Sequence, residues 1–303
     1  SILNAGNDIA VSGWAMGSAA GVDLAAAWIW SANGRITLDG TYLGSITGGV
    51  GIALDSSIIT AKGGLSLSGA SLQDGVFFFG GNQLTTTGTD GNSDILISAT
   101  NAQSAFAFGT RIAAYKFSTT TDTITAGAGS DITLRADSLN LWANRPLVLN
   151  TSGTLTIEPA AVKFKNNFDW SGSLVSNTFT GAGSITGLKI SNWSDLAGLS
   201  LGKAGNTSNL TVSSAITAKG PINLYGHHIG INSTVMALGH ATDAENRVAV
   251  YASGSVTQTT SLIAYSLTLR GAGQFDLGVG GRITVLSAGT ADQPVGSLRF
   301  YES

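Results

Sequence analysis

Residues 131–158 read DITLRADSLNLWANRPLVLNTSGTLTIE, and this stretch shows the pattern that decides the fold. It contains four triplets in which two apolar residues flank a third residue, and the triplets begin at Ile132, Leu139, Leu147 and Leu155. Because alternate residues of a β-strand point to the same side, each triplet predicts a short strand with one buried face. The close spacing leaves room only for short corners between the strands.

The same triplet recurs along the chain, for example at Ile9, Ile36, Ile52, Leu65, Ile95, Leu210, Ile216, Ile222, Ile229 and Ile283. A β-meander would need tight hairpin turns, but the hairpin dipeptide Asn-Gly occurs once, at Asn33-Gly34. We therefore predict an all-β fold, a right-handed parallel β-helix (β-solenoid) with three faces per coil. A coil of about 20 to 22 residues would give about 14 rungs.

We expect a single continuous β-solenoid over residues 1–303, with protruding or irregular coils at 74–89, 100–121 and 158–180, where the triplets are less regular. Helix is expected only at residues 23–30 and at a turn capped by Asn192 or Ser194. Aromatic residues gather in two of the irregular segments, where they either fill wider coils or form a surface for a carbohydrate or a protein partner. They are Phe106, Phe108, Tyr115 and Phe117, and then Phe164, Phe168, Trp170 and Phe179.

Composition excludes several classes of protein. Glycine is frequent, with 41 residues, whereas charged residues make up only 11% of the chain and the net charge is -3, which argues against nucleic-acid binding through a basic surface. With 43% hydrophobic residues the chain can bury a core, yet it contains no apolar run long enough to span a membrane. The absence of cysteine excludes disulfides and thiolate metal sites.

A polysaccharide-acting enzyme, either a glycoside hydrolase or a lyase, is the main alternative to a structural protein. Glycoside hydrolysis needs two carboxyl groups in one cleft. However, Asp8, Asp94 and Asp131 each directly precede a triplet, which predicts that they bond backbone groups of turns. The three glutamates are far apart in sequence, at Glu158, Glu245 and Glu302.

Three other patterns resemble metal or catalytic motifs. The pair His227-His228, with His240 as the only other histidine, is expected to be a turn pair because neighbouring strand residues point to opposite faces. Residues 90–94, DGNSD, lack the glycine and the closing glutamate of a calcium loop, and residues 127–131, GAGSD, form a single copy of a repeat that binds calcium in tandem. We therefore expect no catalytic residue, no metal site and no cofactor, and the binding residues remain unassigned.

Part of the chain resembles a known family. The resemblance lies at residues 199–212 (LSLGKAGNTSNLTV) and 220–226 (GPINLYG), and a second, similar stretch lies at 286–298 (LSAGTADQPVGSL). These residues resemble the repeat region of filamentous-haemagglutinin-like exoproteins. The resemblance implies a secreted right-handed β-helix that a partner transporter exports across an outer membrane. It also implies roles in adhesion, aggregation or competition between cells. The secretion domain of that family, with its Asn-Pro-Asn motifs, is not recognisable, so we expect an internal or processed piece of a larger exoprotein.

Together these observations predict a secreted bacterial surface rod with a structural or adhesive role and no catalysis, located outside the cell or on its surface. Expected partners are a host or bacterial surface glycan or protein, the transporter during export, and either further copies of the chain stacked end to end or a longer parent polypeptide. Neither nucleic acid nor a membrane span is expected.

Overall fold

A computed structural model of the chain describes residues 1–17, 19–44, 49–89, 91–101, 111–114, 120–141, 146–173, 178–180, 186–191, 193–239 and 243–302. The first strands are β1 (Ile2–Ala5), β2 (Ile9–Ala15), β3 (Val22–Ala25), β4 (Trp28–Ser31), β5 (Ile36–Tyr42), β6 (Val50–Asp55), β7 (Ile58–Ala61), β8 (Leu65–Ser71), β9 (Asp74–Gly80), β10 (Gln83–Thr86), β11 (Ile95–Asn101), β12 (Arg111–Ala114), β13 (Asp122–Thr125), β14 (Ile132–Arg135), β15 (Ser138–Asn140) and β16 (Leu147–Asn150). The remaining strands are β17 (Thr154–Glu158), β18 (Phe168–Trp170), β19 (Gly172–Ser173), β20 (Thr178–Thr180), β21 (Thr186–Ile190), β22 (Gly198–Leu201), β23 (Leu210–Val212), β24 (Ile216–Ala218), β25 (Ile222–Gly226), β26 (Ile229–Ile231), β27 (Val235–Ala237), β28 (Arg247–Ala252), β29 (Ser255–Gln258), β30 (Leu262–Arg270), β31 (Gln274–Ala288) and β32 (Ser297–Glu302).

Successive strands occupy three faces in turn, and each pairs in parallel with the strand at the same place in the next coil. Face A contains one ladder from β1 to β21 (β1, β4, β7, β10, β13, β16, β21) and a second from β24 through β27 to β30 and β31. Face B is one ladder through β2, β5, β8, β11, β14, β17, β22, β25, β28, β30 and β31. Face C contains β3, β6, β9, β12 and β15, then β18, β23, β26, β29, β31 and β32. The predicted three-faced parallel β-helix is confirmed.

Coil length varies more than the triplet spacing suggests. On face B, Ile132 pairs with Leu155, 23 residues further on, whereas Leu155 pairs with Leu199, 44 residues further on. Face B therefore has eleven strands in the described residues, fewer than the about 14 rungs expected from uniform coils. At about 4.8 Å per rung this ladder spans roughly 48 Å.

The core is a column of aliphatic side chains inside the coils. On face B the inward residues stack on their equivalents in the next rung, so each buried side chain is covered on both sides. The row of face B residues in register with Ile9, from β2 to β30, is at most 6% exposed at Ile9, Ile36, Leu65, Ile95, Ile132, Leu155, Leu199, Ile222, Val248 and Leu267. The inward direction predicted for Leu147 and Leu155 is confirmed, because they are 1% and 0% exposed.

Buried polar side chains connect the rungs at one corner, just before the strands of face A. Asn82 Oδ1 accepts a hydrogen bond from Ser57 N–H at 2.9 Å, and Asn82 Nδ2 donates to Asp122 Oδ1 at 2.8 Å and to Leu54 O at 3.0 Å. Ser57 Oγ in turn accepts from Ala27 N–H at 3.1 Å. Since an unpaired buried polar group is costly, these contacts hold the rungs in one register.

A glycine seam brings faces B and C together in the first coils. A Cβ added to the inward glycine of β2, β5 or β8 would first meet a glycine carbonyl oxygen at the start of face C. The pairs are Gly13 with Gly21, Gly40 with Gly51, and Gly69 with Gly75. The backbones therefore touch with no side chain between them, which explains why glycine recurs here in register.

The helix predicted at residues 23–30 is wrong. This segment forms β3 and β4, separated by a turn in which Ala26 has a φ of 47°. In β4 the exposure alternates, with Ile29 buried and Trp28 and Trp30 exposed, so the period is two. Pairing with β1 and β7 satisfies the backbone and overrides the helical preference of the alanines. A single 3₁₀ turn at Trp193–Asp195 lies where the second helical element was expected, while the proposed cap Asn192 lies outside the described residues.

The three less regular segments differ from one another. Segment 74–89 contains β9 and β10, which pair in the ladders, with register shifts where β9 meets β6 and β12. In segment 100–121 the structure describes residues 100–101, β12 and residues 120–121, while 102–110 and 115–119 lie outside the described residues. In segment 158–180, β18 joins face C, and β19 pairs antiparallel with β20, which in turn pairs antiparallel with β21 beyond the segment. Within the described residues no helix has the length and apolar character needed to cross a membrane.

Candidate functional site

An exposed aromatic surface lies on the outside of face A, in the first rungs. Trp28 and Trp30 are 57% and 49% exposed and point outward from β4. In register with Trp28 are Ile2 on β1 and Ile58 on β7, and all three line a groove of about 470 Å³ with Trp30. Large exposed aromatic residues that are grouped in one patch mark contact surfaces more often than single, scattered ones do.

The same surface becomes polar along the rod and carries no charge as far as β16, after which the residue in register with Val148 is Lys189 on β21. We call the outward residues of β4, β7, β10, β13 and β16 the uncharged face. These residues form two rows along the rod, one beginning at Trp28 and the other at Trp30, and no side chain in either row is ionisable. They are Trp28, Ile58, Gln83, Thr123 and Val148, and Trp30, Thr60, Thr85, Thr125 and Asn150. Hydroxyl and amide groups can both donate and accept hydrogen bonds, so this face suits a ligand that is itself rich in hydroxyl groups.

The aspartates that precede strands hold corners together, as predicted. Asp8 Oδ1 accepts a hydrogen bond from Arg35 N–H at 2.7 Å, and Asp94 Oδ1 accepts from Asp131 N–H at 2.8 Å. Asp131 Oδ1 accepts from Thr154 N–H at 2.6 Å. Burial raises the pKa of Asp131, the Thr154 N–H lowers it, and the nearby Asp94 carboxylate raises it further. These carboxyl groups bond the backbone of the next rung instead of facing a cleft.

The histidine pair lies at a corner between β25 and β26. The two rings are 4.2 Å apart, and each bonds a serine of the next coil: His227 Nδ1 lies 2.9 Å from Ser253 Oγ, and His228 Nδ1 lies 2.8 Å from Ser255 Oγ. The Ser255 N–H also donates to His228 Nδ1 at 2.9 Å. The arrangement is a turn pair that contacts a neighbouring rung, as expected, while His240 lies outside the described residues.

The described residues of the two segments that resemble calcium loops form hydrogen bonds with backbone groups of the protein. In the turn at residues 127–131, Ser130 N–H donates to Gly127 O at 3.0 Å, and Gly129 has a φ of 72°, which favours glycine. In segment 90–94, Asp90 lies outside the described residues, and Asp94 Oδ1 accepts the hydrogen bond from Asp131 N–H described above. Among the residues that the structure describes, no three His, Asp or Glu side chains are grouped as metal ligands would be.

The remaining candidates fill the core or pair with neighbours. Phe164, Phe168 and Trp170 are at most 3% exposed, so these aromatic side chains pack inside the coil. Glu158 forms an ion pair with Arg135 at 2.6 Å. Four aromatic residues (Phe106, Phe108, Tyr115 and Phe117) lie outside the described residues, as do the side chains of Phe179 and Glu302, while Glu245 lies in a turn.

A second groove, of about 370 Å³, lies at the corner between faces B and C, and sequence reasoning missed it. Tyr225 and Tyr251 line this groove, pair in register and stack with ring centroids 4.4 Å apart. Arg270 follows in the next rung, and Lys203 and Asp292 also line this tyrosine groove. The sequence contains a signal for it, because Tyr225, Tyr251 and Arg270 each directly follow an alternating triplet of face B.

Comparison of the chain with protein-family models, with curated proteins and with solved structures found no match. The resemblance to haemagglutinin-like exoproteins therefore stays a prediction from the quoted residues.

Proposed function

We propose that the chain is a rod of the bacterial cell surface that acts in structure or adhesion without catalysis. The uncharged face carries this proposal, because it offers aromatic rings beside a long row of hydroxyl and amide groups. Such a surface is suited to contact with an uncharged glycan, whose sugar rings have apolar faces and many hydroxyl groups. The proposed partner is therefore a surface glycan.

The proposed location outside the cell rests on the resemblance at residues 199–212 and 220–226 and on the absence of cysteine. Export by an outer-membrane partner transporter is part of the same proposal. At the ends of the rod, β1 pairs with β4 and β32 pairs with β31, and each has one strand edge unpaired among the described residues. Such edges readily pair with another strand, so we propose that further coils of a longer polypeptide or a second copy cover them.

The second candidate is an enzyme acting on polysaccharides, and the tyrosine groove is the observation that favours it. Three charged side chains line this groove, which is the setting in which catalysis would be sought. Two features support binding instead. Asp292 is the only carboxyl group among the lining residues, whereas glycoside hydrolysis needs two. Burial and the neighbouring Tyr251 also raise the pKa of Tyr225, which is the wrong direction for a general base.

A glycan array combined with product analysis tests the proposal. We expect the chain to bind uncharged oligosaccharides and to release neither new reducing ends nor unsaturated products. The double variant Trp28→Ala/Trp30→Ala should bind at least about tenfold more weakly, because it loses both rings of the groove. Trp14→Ala is the matched control, since Trp14 is 71% exposed but does not line the groove.

Two results would contradict the adhesive role. One is unchanged glycan binding by the double tryptophan variant, and the other is steady release of products from any polysaccharide.

A further inference from the structure

The tyrosine groove carries positive charge on a chain whose net charge is -3. Lys203 Nζ donates a hydrogen bond to Ala160 O at 3.1 Å. Arg270 donates through NH1 to Leu269 O at 2.9 Å and through NH2 to Ser287 Oγ at 3.1 Å. These acceptors are uncharged, so they orient both cations without neutralising them, and neither cation forms an ion pair within the described part of the chain.

Asp292 is the only anion among the lining residues, so the groove is positive overall. The two cations lie on opposite sides of the tyrosine pair along the rod. Lys203 follows β22, which precedes the Tyr225 strand in the face B ladder, whereas Arg270 belongs to the rung after Tyr251. A ligand lying along the rod would therefore meet a cation, then two aromatic rings, then a second cation.

Tyr225 suits this arrangement because its hydroxyl remains uncharged. Burial is the main reason that the pKa of Tyr225 is raised, and the neighbouring Tyr251 raises it further. The Tyr225 hydroxyl therefore keeps its proton at neutral pH and does not repel an anion. The rings supply apolar area for the faces of sugar rings, as aromatic residues commonly do in binding sites.

We propose that the tyrosine groove binds an anionic stretch of a linear polysaccharide that lies along the rod. Lys203 and Arg270 meet its carboxylate or sulfate groups, and Tyr225 and Tyr251 contact its sugar rings. From the β22 rung to the β31 rung the ladder has four spacings of about 4.8 Å, which is long enough for a short oligosaccharide. The groove lies on a different part of the rod from the uncharged face, so this site does not depend on the adhesive role proposed above.

Isothermal titration calorimetry of the full chain tests the site with three probes of equal length. These are a tetramer of galacturonic acid, a sulfated chondroitin tetrasaccharide and the uncharged cellotetraose. We expect at least one anionic probe to bind, with an affinity that falls as salt is added. The carboxylate and sulfate probes distinguish which anion is preferred, and binding of either supports the proposal.

Arg270→Gln should weaken binding of the anionic probe by about tenfold or more, because it removes one charged donor while keeping an amide. Lys203→Gln is a second variant, and among the described residues the only hydrogen bond that it removes is the one that Lys203 Nζ donates to Ala160 O. Arg282→Gln is the control, since it makes the same charge change at an exposed residue that does not line the groove.

The proposal is overturned if neither anionic probe binds, if cellotetraose binds to the Trp28→Ala/Trp30→Ala variant as tightly as they do, or if Arg282→Gln weakens binding as much as Arg270→Gln. Trp28→Ala/Trp30→Ala should leave binding of the anionic probes unchanged. Failure of the groove and failure of the uncharged face would therefore be seen separately.

Discussion

The glycine seam makes a sharp prediction at Gly51, the second residue of β6. A Cβ at this position would lie 2.5 Å from Ala70 N, 2.6 Å from Gly75 O and 2.8 Å from Gly69 C. Real Cβ atoms essentially never lie closer than 3.0 Å to such neighbours, and all three atoms here belong to the backbone. The substitution Gly51→Ala therefore requires one strand to move away from another.

Neither side can move easily, because β6 pairs with β3 and β9, and β8 pairs with β5 and β11. Overpacking of a core usually costs about 1 to 3 kcal/mol, and the rigid surroundings place Gly51→Ala at the upper end, about 3 kcal/mol or more. We expect this loss in the free energy of unfolding, measured by urea denaturation followed by both circular dichroism and tryptophan fluorescence. Two probes are needed because solenoids can unfold in parts.

The matched control is Gly6→Ala. Gly6 has no atom within 4 Å of an added Cβ, and its φ lies outside the left-handed region, so the change should stay within about 0.5 kcal/mol. If Gly51→Ala and Gly6→Ala unfolded at the same urea concentration, the backbone contact at the seam would not contribute to the fold as described.

Two further predictions concern the core and one corner. Leu155→Ala should lower the free energy of unfolding by about 2 to 5 kcal/mol, because burial is lost and a cavity stays unfilled. Thr156→Ala, at the half-buried neighbouring residue, should change the free energy of unfolding little. If calorimetry showed that the two variants melt at the same temperature, the assignment of faces would be wrong. Because burial raises the pKa of Asp131 in the folded state, the folded chain binds this proton more tightly, so its stabilising contribution is present at acid pH and is lost as pH rises through the folded-state pKa. Asp131→Asn keeps an Oδ1 acceptor for Thr154 N–H but does not titrate, so the difference in unfolding free energy between wild type and variant should change as the pH rises over the range that starts at the ordinary aspartate pKa of about 4. A constant difference over that range, measured by urea denaturation, would show that Asp131 does not titrate in this way.

Strand periodicity and the positions of the aspartates before the triplets were enough to predict which residues of each strand point inward and which residues hold the corners. Leu155 and Thr156 are correctly separated because strand periodicity is local and needs no knowledge of the neighbouring rung. Asp8 and Asp131 bond backbone groups at the corners, as their positions before strands predict, although the groups that they bond, Arg35 N–H and Thr154 N–H, belong to the next rung.

The pairing of strands between coils, in contrast, depends on the tertiary structure. Leu155 pairs with Leu199 across a long and partly antiparallel connection, and no local pattern states that length. The same dependence on register explains the wrong helix at residues 23–30, because an alanine-rich apolar segment fits either period until neighbouring strands satisfy its backbone. The tyrosine groove likewise exists only because Tyr225, Tyr251 and Arg270 fall at the same place in successive rungs. A binding surface built from residues in different coils is set by register, and register is a property of the whole ladder.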